Sequence, residues 1–202
     1  MKYLRILPVL ALFAQMPASG MQEAKKQASQ PPMDEKAAME MMQKLATPGE
    51  AHKKLDVLVG TWKAKNTMWT NPSKPPAVSE GVSEHKWALG GRFVEQHFEG
   101  NFMGMPFSGV GYTGYDNYKK KYVGIWMDTF GTSIMNTTGS FDAAGKVLSA
   151  SGRVDDFTTG KVVTIREKLT IVSKDEVKMD MFGPDPEGKE YRMMEIVYTR
   201  TK

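Results

Sequence analysis

The sequence contains no cysteine in its 202 residues. This absence excludes disulfide bonds, thiolate metal sites, a cysteine nucleophile and an N-terminal cysteine for lipid attachment. Charge of one sign is in little excess, since 27 Lys and Arg stand against 23 Asp and Glu. Lys2 and Arg5 lie in the first twenty residues, which contain no acid, so the rest of the chain has 25 cations against 23 acids. So small an excess gives no support to a nucleic-acid partner.

A long apolar run is also missing. The apolar stretch at residues 6–14 (ILPVLALFA) is too short to cross a bilayer core of about 30 Å as a helix. It follows the basic sequence MKYLR and precedes the small residues Ala18, Ser19 and Gly20, a pattern typical of a signal peptide over residues 1–20. A short anchor or a buried helix is the alternative. Since no cysteine follows, we expect a periplasmic or secreted protein without a stable membrane anchor.

Residues 21–47 are predicted to form a polar linker with a short helix. The segment MQEAKKQASQPPM is polar, and Asp34 is placed to cap a helix that runs to about Lys44. The sequence Thr47-Pro48-Gly49-Glu50 has a capping-box threonine and a proline at the first helical position. It predicts a second short helix, with His52 exposed, that ends at Gly60.

From residue 48 to residue 202 the chain reads as one all-β domain. After Gly60, apolar residues recur at period two, and turn residues follow every ten to fifteen positions. The predicted strands are 61–69, 78–89, 92–101, 107–115, 121–129, 132–141, 145–154, 161–172, 175–182 and 189–200. About ten consecutive strands with short links favour an antiparallel up-and-down barrel, because closure removes exposed edges. A two-sheet sandwich is the alternative.

Two ends of this domain resemble the lipocalin and fatty-acid-binding-protein group. Gly60-x-Trp62 opens the first strand after a short helix, and Tyr198-x-Arg200 closes the last one. The resemblance implies that Trp62 and Arg200 close the barrel at one end, where a guanidinium can stack on an indole.

A closer resemblance, over about residues 50–202, is to the bacterial family known as domain of unknown function 1579. It rests on these landmarks in order: Gly91-Arg92-Phe93, Gly104-Met105-Pro106-Phe107, Gly114-Tyr115-Asp116, Lys121-Tyr122, Trp126, Asp128, Gly139-Ser140-Phe141-Asp142, Glu195 and Tyr198-x-Arg200. The family implies a lipocalin-like (calycin-type) barrel and leaves the activity open.

Strand alternation predicts which polar side chains point inward. Glu167 shares a face with Ile165 and Leu169, Glu195 lies in a similar apolar row, and His85 falls on one face with Trp87. A buried carboxylate needs a cation, a hydrogen-bond donor or a proton. These side chains therefore either orient a ligand's polar group or pair internally, for example with Arg92, Arg166 or Arg192 at a barrel end.

The sixteen methionines and four tryptophans supply candidate apolar wall. Methionine adapts to irregular apolar shapes and suits a pocket, although the methionines ahead of the domain could also bind Cu(I). Asp128 beside Trp126 fits either a cavity mouth or a turn. The candidate ligand-binding residues are Glu167, Glu195, His85, Trp87, Trp126, Met135, Met179, Met181 and Met193.

Signatures of catalysis and of bound cofactors are weak. The sequence contains no Gly-x-Ser-x-Gly, no His-Glu-x-x-His and no phosphate-binding loop, and Gly109-Val110-Gly111 reads as turn glycines. Nitrobindin-like barrels hold haem, but no histidine lies near the C-terminal strands here. We therefore expect no cofactor and no metal, and an exported, non-enzymatic barrel that binds a small hydrophobic or amphipathic molecule. The alternatives are a cell-envelope enzyme with an inward carboxylate or His85 as general base, and a filled barrel that serves as a structural or partner-binding module.

Overall fold

The computed structural model describes residues 34–102, 104–157 and 159–201. The predicted signal peptide at residues 1–20 and the first part of the predicted linker lie outside these residues. Within the described ranges no helix has the length and apolar character of a membrane span.

Two short helices and a 3-10 turn precede the strands. Helix α1 covers Glu35–Ala46 and helix α2 covers Glu50–Lys53. Asp34 caps α1 as predicted, because its Oδ1 accepts a hydrogen bond from the Ala37 amide at 2.9 Å. No residue of α1 is buried, so this helix adds little to the core.

The predicted capping box at Thr47 was wrong. The Thr47 hydroxyl donates to the Gln43 carbonyl at 2.7 Å and so ends α1. The N-cap of helix α2 is instead Gly49, whose amide donates to His52 Nδ1 at 3.1 Å. The prediction that His52 is exposed was also wrong, since its ring is buried and packs edge-on against Tyr115. A histidine that caps its own helix can turn its ring inward, which a sequence pattern does not reveal.

Ten antiparallel strands form a closed barrel in which each strand pairs with the next and the last pairs with the first. This confirms the predicted all-β, up-and-down, lipocalin-like barrel and excludes the sandwich. The strands are β1 Gly60–Met68, β2 Ala77–Ala88, β3 Phe93–Phe102, β4 Met105–Asp116, β5 Lys121–Asp128, β6 Met135–Phe141, β7 Val147–Asp156, β8 Lys161–Ile171, β9 Glu176–Pro184 and β10 Glu190–Arg200.

Helix α2 and a 3-10 turn over Asp56–Leu58 lie at the end of the barrel where β1 begins, and this is the closed end. Leu55 and Leu58 are buried there beside Trp62, and the Trp62 indole N–H donates to the Leu58 carbonyl at 2.8 Å. The Arg200 guanidinium stacks on the Trp62 ring, with its Cζ 4.1 Å from the ring centroid. The opposite end, where β1 finishes and β2 begins, has no such cover among the described residues.

Candidate ligand-binding cavity

The barrel encloses a cavity of about 430 Å³. Leu58 and Trp62 form its floor at the closed end, and Phe102, Phe107 and Phe130 line it at the open end. These three aromatic rings contact one another with centroid separations of 5.1 to 6.4 Å. The cavity therefore has an aromatic mouth and a floor sealed by the Trp62 ring.

One wall of the cavity is the indole of Trp126, which lies flat against β4. The strand admits it because Gly109 and Gly111 have no side chains there. A Cβ at Gly109 would overlap the ring, and one at Gly111 would lie 2.9 Å from Trp126 Cε3. The prediction that these two glycines belong to a turn was wrong, since both lie in mid-strand. Their function is to leave room for a large side chain on the neighbouring strand.

Three of the predicted methionines, Met135, Met179 and Met181, line the cavity. Met193 does not line it, and its Sδ lies beside β9, 2.7 Å from the position that a Cβ of Gly183 would take. Met127, which the same interpretation placed in the wall, also lines the cavity, and so do Met68 and Met194, which were not predicted. Flexible thioether side chains thus form much of the wall, as the adaptable-pocket interpretation expects.

A chain of hydrogen-bonded side chains crosses the interior near the floor. Gln96 Nε2 lies 2.9 Å from Ser83 Oγ and 3.3 Å from the Tyr198 hydroxyl. The Ser83 hydroxyl also forms a hydrogen bond with His85 Nε2, with the two atoms 2.8 Å apart. Burial, and secondarily the charge of Arg200, lowers the pKa of His85 to about 4. The ring is therefore neutral at physiological pH.

Of these four hydrogen-bonded side chains, only His85 was among the predicted ligand-binding residues. Ser83 shares the inward face of His85 on β2, and Gln96 falls between Val94 and Phe98 on β3, so the same alternation contained a signal for both. Burial raises the pKa of Tyr198 to about 12, and the nearby Glu167 adds to that effect. Ser83 is wholly buried and does not line the cavity, so the Ser83–His85 pair presents no nucleophile to a ligand.

Glu167 lines the cavity, as predicted from its apolar row. It lies on β8 between Ala150 of β7 and Met181 of β9, its partners across the strands. Burial raises the pKa of Glu167, and a hydrogen bond with the Thr137 side chain acts in the opposite direction. This carboxyl group is therefore a polar group on a largely apolar wall.

The predicted inward orientation of Glu195 was wrong. Its Oε2 lies 2.6 Å from Arg192 Nη1 and 2.7 Å from Lys178 Nζ, and it does not line the cavity. The reason is a β-bulge, because the pairing of β10 with β9 shifts register between Arg192 and Met194. From the bulge onward the alternate residues, including Tyr198, face inward, and Glu195 falls on the outer face. The internal pairing that we considered as the alternative is the one present.

Trp87 also lies away from the cavity. It follows His85 on the inward face of β2, but the strand ends one residue later at the closed end of the barrel. The Trp87 indole N–H donates to Asp56 Oδ1 in the 3-10 turn at 2.9 Å. Its place is in the packing of that turn against the barrel.

Asp128 and Asn66 are among the further polar residues that line the cavity. Asp128 accepts hydrogen bonds from the Trp126 indole N–H at 2.8 Å and from the Phe130 amide at 2.9 Å. It therefore lies at the cavity mouth and also stabilises the turn after β5, so both interpretations of this residue apply. Asn66 was missed by the sequence analysis. Its Oδ1 is buried and accepts no hydrogen bond from the part of the chain that the structure describes.

No cluster of three or more His, Asp or Glu side chains able to hold a metal ion occurs within residues 34–102, 104–157 and 159–201. The imidazole of His85 is engaged with Ser83, and His97 pairs with Glu95 on the outer face at 3.1 Å.

Comparison with known proteins identifies a family and two similar structures. The family described as "Protein of unknown function (DUF1579)" matches residues 47–200, and no curated protein matches the chain. The crystal structure of Rv2717c from M. tuberculosis aligns with a TM-score of 0.55 at 15% identity, over 77% of this chain and 100% of that one. The S-type phycobiliprotein lyase CPES from Guillardia theta aligns with a TM-score of 0.52 at 10% identity, over 77% and 99%. At such identities these structures support the calycin-type barrel and nothing finer.

Proposed function

The chain belongs to the family described as protein of unknown function DUF1579, and we propose that it is a non-enzymatic barrel that binds one small hydrophobic or amphipathic molecule in its interior. The observation that carries the proposal is the cavity of about 430 Å³ with its largely apolar wall. Ligand sites are typically concave, largely apolar and about 300–1,000 Å³ in volume. An interior of this volume favours a binding barrel over the filled-barrel alternative.

The lining supports a ligand with an apolar body and one polar end. Trp126, the methionines and the phenylalanines of the mouth offer dispersion contacts to an apolar body. Glu167 and Asn66 are among the polar groups that lie on this largely apolar background, an arrangement that fixes orientation more than it adds affinity.

A neutral fluorescent probe tests the proposal whatever the natural ligand is. N-phenyl-1-naphthylamine becomes bright when it leaves water, so its binding can be titrated directly. We expect saturable binding of one probe per chain. We expect this binding to be lost in Ala150→Phe, because Ala150 lines the cavity next to Glu167, its partner on the neighbouring strand. The matched control is Ser149→Phe, the preceding residue on the outer face of the same strand.

Circular dichroism on both variants verifies that each is folded. Binding that is equal in Ala150→Phe and Ser149→Phe would show that the probe sits outside the cavity. A complete absence of saturable binding in the folded wild-type protein would contradict the proposed function. Turnover of a ligand in place of its retention would support the alternative of an enzyme.

We propose in addition that the protein is exported. The support is the sequence of residues 1–20, with its basic start, short apolar run and small residues before Met21. Fractionation of the producing cells followed by mass measurement of the mature chain tests this. A chain that begins near Met21 in the exported fraction is expected, and a full-length cytoplasmic chain would contradict it.

A further inference from the structure

The charge of the cavity lining is one-sided. Its acids are Glu167 and Asp128, and among the described residues that line it there is neither lysine nor arginine. His85 contributes no positive charge at neutral pH, because burial and the neighbouring Arg200 lower its pKa to about 4. The interior therefore presents carboxyl groups without a protein cation to meet them.

The cations that lie near the barrel interior are engaged elsewhere. The Arg200 guanidinium is separated from the cavity by the Trp62 ring, on which it stacks at 4.1 Å. Its three nitrogens donate to the carbonyl oxygens of Val57, Val59 and Lys174 at 2.6 to 3.0 Å. On the outer face, Lys178 and Arg192 both contact Asp180 and Glu195. None of these side chains is turned toward Glu167.

Glu167 and Asn66 consequently have unused capacity to accept hydrogen bonds. A carboxylate offers about four acceptor positions. The Glu167 carboxyl group forms a side-chain hydrogen bond with the Thr137 hydroxyl. The Asn66 Oδ1 is buried and lacks a partner within the described residues. Buried acceptors without donors are costly, so a ligand that brings donors gains more here than one that brings acceptors.

Resting on the proposed function, we infer that the ligand carries a protonated amine on an apolar body and that Glu167 accepts hydrogen bonds from the ammonium group. An ammonium has three donors and no acceptor, which complements this lining. The aromatic faces along the wall, Trp126 first among them, add attraction for a cation. A carboxylate ligand would meet acceptors and like charge with no cation inside the barrel, so the cavity discriminates against fatty-acid-type ligands.

The net charge of the chain makes the inference sharper. The formal net charge is +4, and +2 without residues 1–20, so non-specific attraction to the protein surface does not favour cationic ligands. A preference for an amine therefore has to come from the local charge of the cavity.

The experiment compares three ligands that share one apolar body. Decylamine, 1-decanol and decanoate compete with N-phenyl-1-naphthylamine for the wild-type cavity at pH 7.5 and moderate salt. We expect decylamine to bind at least about tenfold tighter than 1-decanol, because hydrogen bonds to charged groups are the strong ones. Decanoate is expected to bind weakest of the three.

Glu167→Gln assigns the preference to one side chain. In this variant decylamine is expected to lose about tenfold in affinity, while 1-decanol binds as in the wild type and so reports an intact cavity. Glu195→Gln removes a carboxylate from the outer face and is expected to leave all three affinities unchanged.

The outcomes separate this inference from the proposed function. If the neutral probe fails to bind, the proposed function itself fails. If the probe binds but decanoate competes as well as decylamine, the cavity binds ligands and the inference about amines is overturned. An amine preference that survives in Glu167→Gln, or that disappears in Glu195→Gln, overturns the assignment to Glu167.

Discussion

Glu167 and Glu195 show how one residue can be placed correctly and a similar one wrongly from sequence. Both interrupt an apolar row at period two, which predicts two inward carboxylates. Glu167 lies on a regular strand and lines the cavity, whereas the bulge between Arg192 and Met194 turns Glu195 outward. The register of a strand depends on its neighbour, so alternation within one strand does not reveal a bulge.

The first prediction concerns the pH dependence that Glu167 imposes on stability. The pKa of the Glu167 carboxyl group is raised in the folded protein. Its contribution to stability is therefore fully present below the pKa that the group has in the unfolded chain, and it is lost as pH rises through the pKa of the folded state. In ligand-free protein, Glu167→Gln is therefore expected to raise the urea midpoint at pH 8 and to change it little at pH 4. Glu195→Gln, which loses two ion pairs, is expected to lower the midpoint at pH 8. A Glu167→Gln variant that is equally destabilised at both pH values would contradict this account.

The second prediction concerns His85. The folded pKa of about 4 lies below the ordinary histidine value of 6.5, so the stability that His85 contributes is present above pH 6.5 and is lost as pH falls toward 4. The loss amounts to about 3 kcal/mol. His85→Gln is expected to remove this part of the acid sensitivity, which urea unfolding between pH 7 and pH 4 measures. His97→Gln, on the exposed outer face, is the control, and an unchanged acid profile in His85→Gln would refute the assignment.

At the scale of the element, strand β4 and the indole of Trp126 form one packing unit. Gly109 and Gly111 lie beneath the ring, and both positions lack space for a Cβ. A Gly-x-Gly sequence is typical of a turn, although the predicted strand 107–115 already contained both glycines. The partner that explains them lies on the next strand, beyond the turn that joins β4 to β5, and no local pattern connects the two.

The third prediction follows from this unit. Gly109→Ala is expected to displace Trp126 and to reduce the free energy of unfolding by about 1–3 kcal/mol, the usual cost of overpacking. It should also shift the tryptophan emission of the folded protein. Gly131→Ala is the control, since a Cβ there would meet its nearest atom, Ser133 Oγ, at 3.8 Å. Equal stability of Gly109→Ala and Gly131→Ala would show that the strand yields without cost.

The strands themselves were largely predictable, and the helical entry was less so. Period-two alternation with frequent turn residues placed all ten strands to within a few residues, from β1 at Gly60–Met68 to β10 at Glu190–Arg200. The entry helix at Glu50–Lys53 begins later than the Thr47 signal indicated, because Thr47 serves the preceding helix. A capping residue between two helices can belong to either one, and only the fold decides.

At the scale of the whole molecule, the closure of the barrel depends on a contact between its first and last strands. Arg200 on β10 stacks on Trp62 of β1, and its guanidinium also binds carbonyl oxygens of the segment before β1. Gly60 has a φ of +133° and leaves no space for a side chain beside Arg200. The closed end is thus a single assembly of the first and last strands, and it isolates the cavity from solvent on that side.

The fourth prediction tests this closure. Arg200→Met removes three hydrogen bonds to carbonyl oxygens and the stacking on Trp62, so we expect a loss of about 3 kcal/mol in the free energy of unfolding. Lys65→Met removes an exposed cation from the outer face of β1 and is the matched control, with a change expected within about 0.5 kcal/mol. Urea unfolding of both variants measures the difference. Similar values for the two would show that Arg200 does not hold the closed end together.

The central claim is that the cavity holds a small molecule, and native mass spectrometry of the mature protein, purified gently from the cells that make it, tests it most directly. The account predicts a discrete additional mass that disappears on denaturation, that is retained in Ser149→Phe and that is missing from Ala150→Phe, whose new side chain projects into the cavity. A wild-type chain that stays at its bare mass after incubation with extracts of those cells would contradict the account, as would an additional mass that persists in Ala150→Phe.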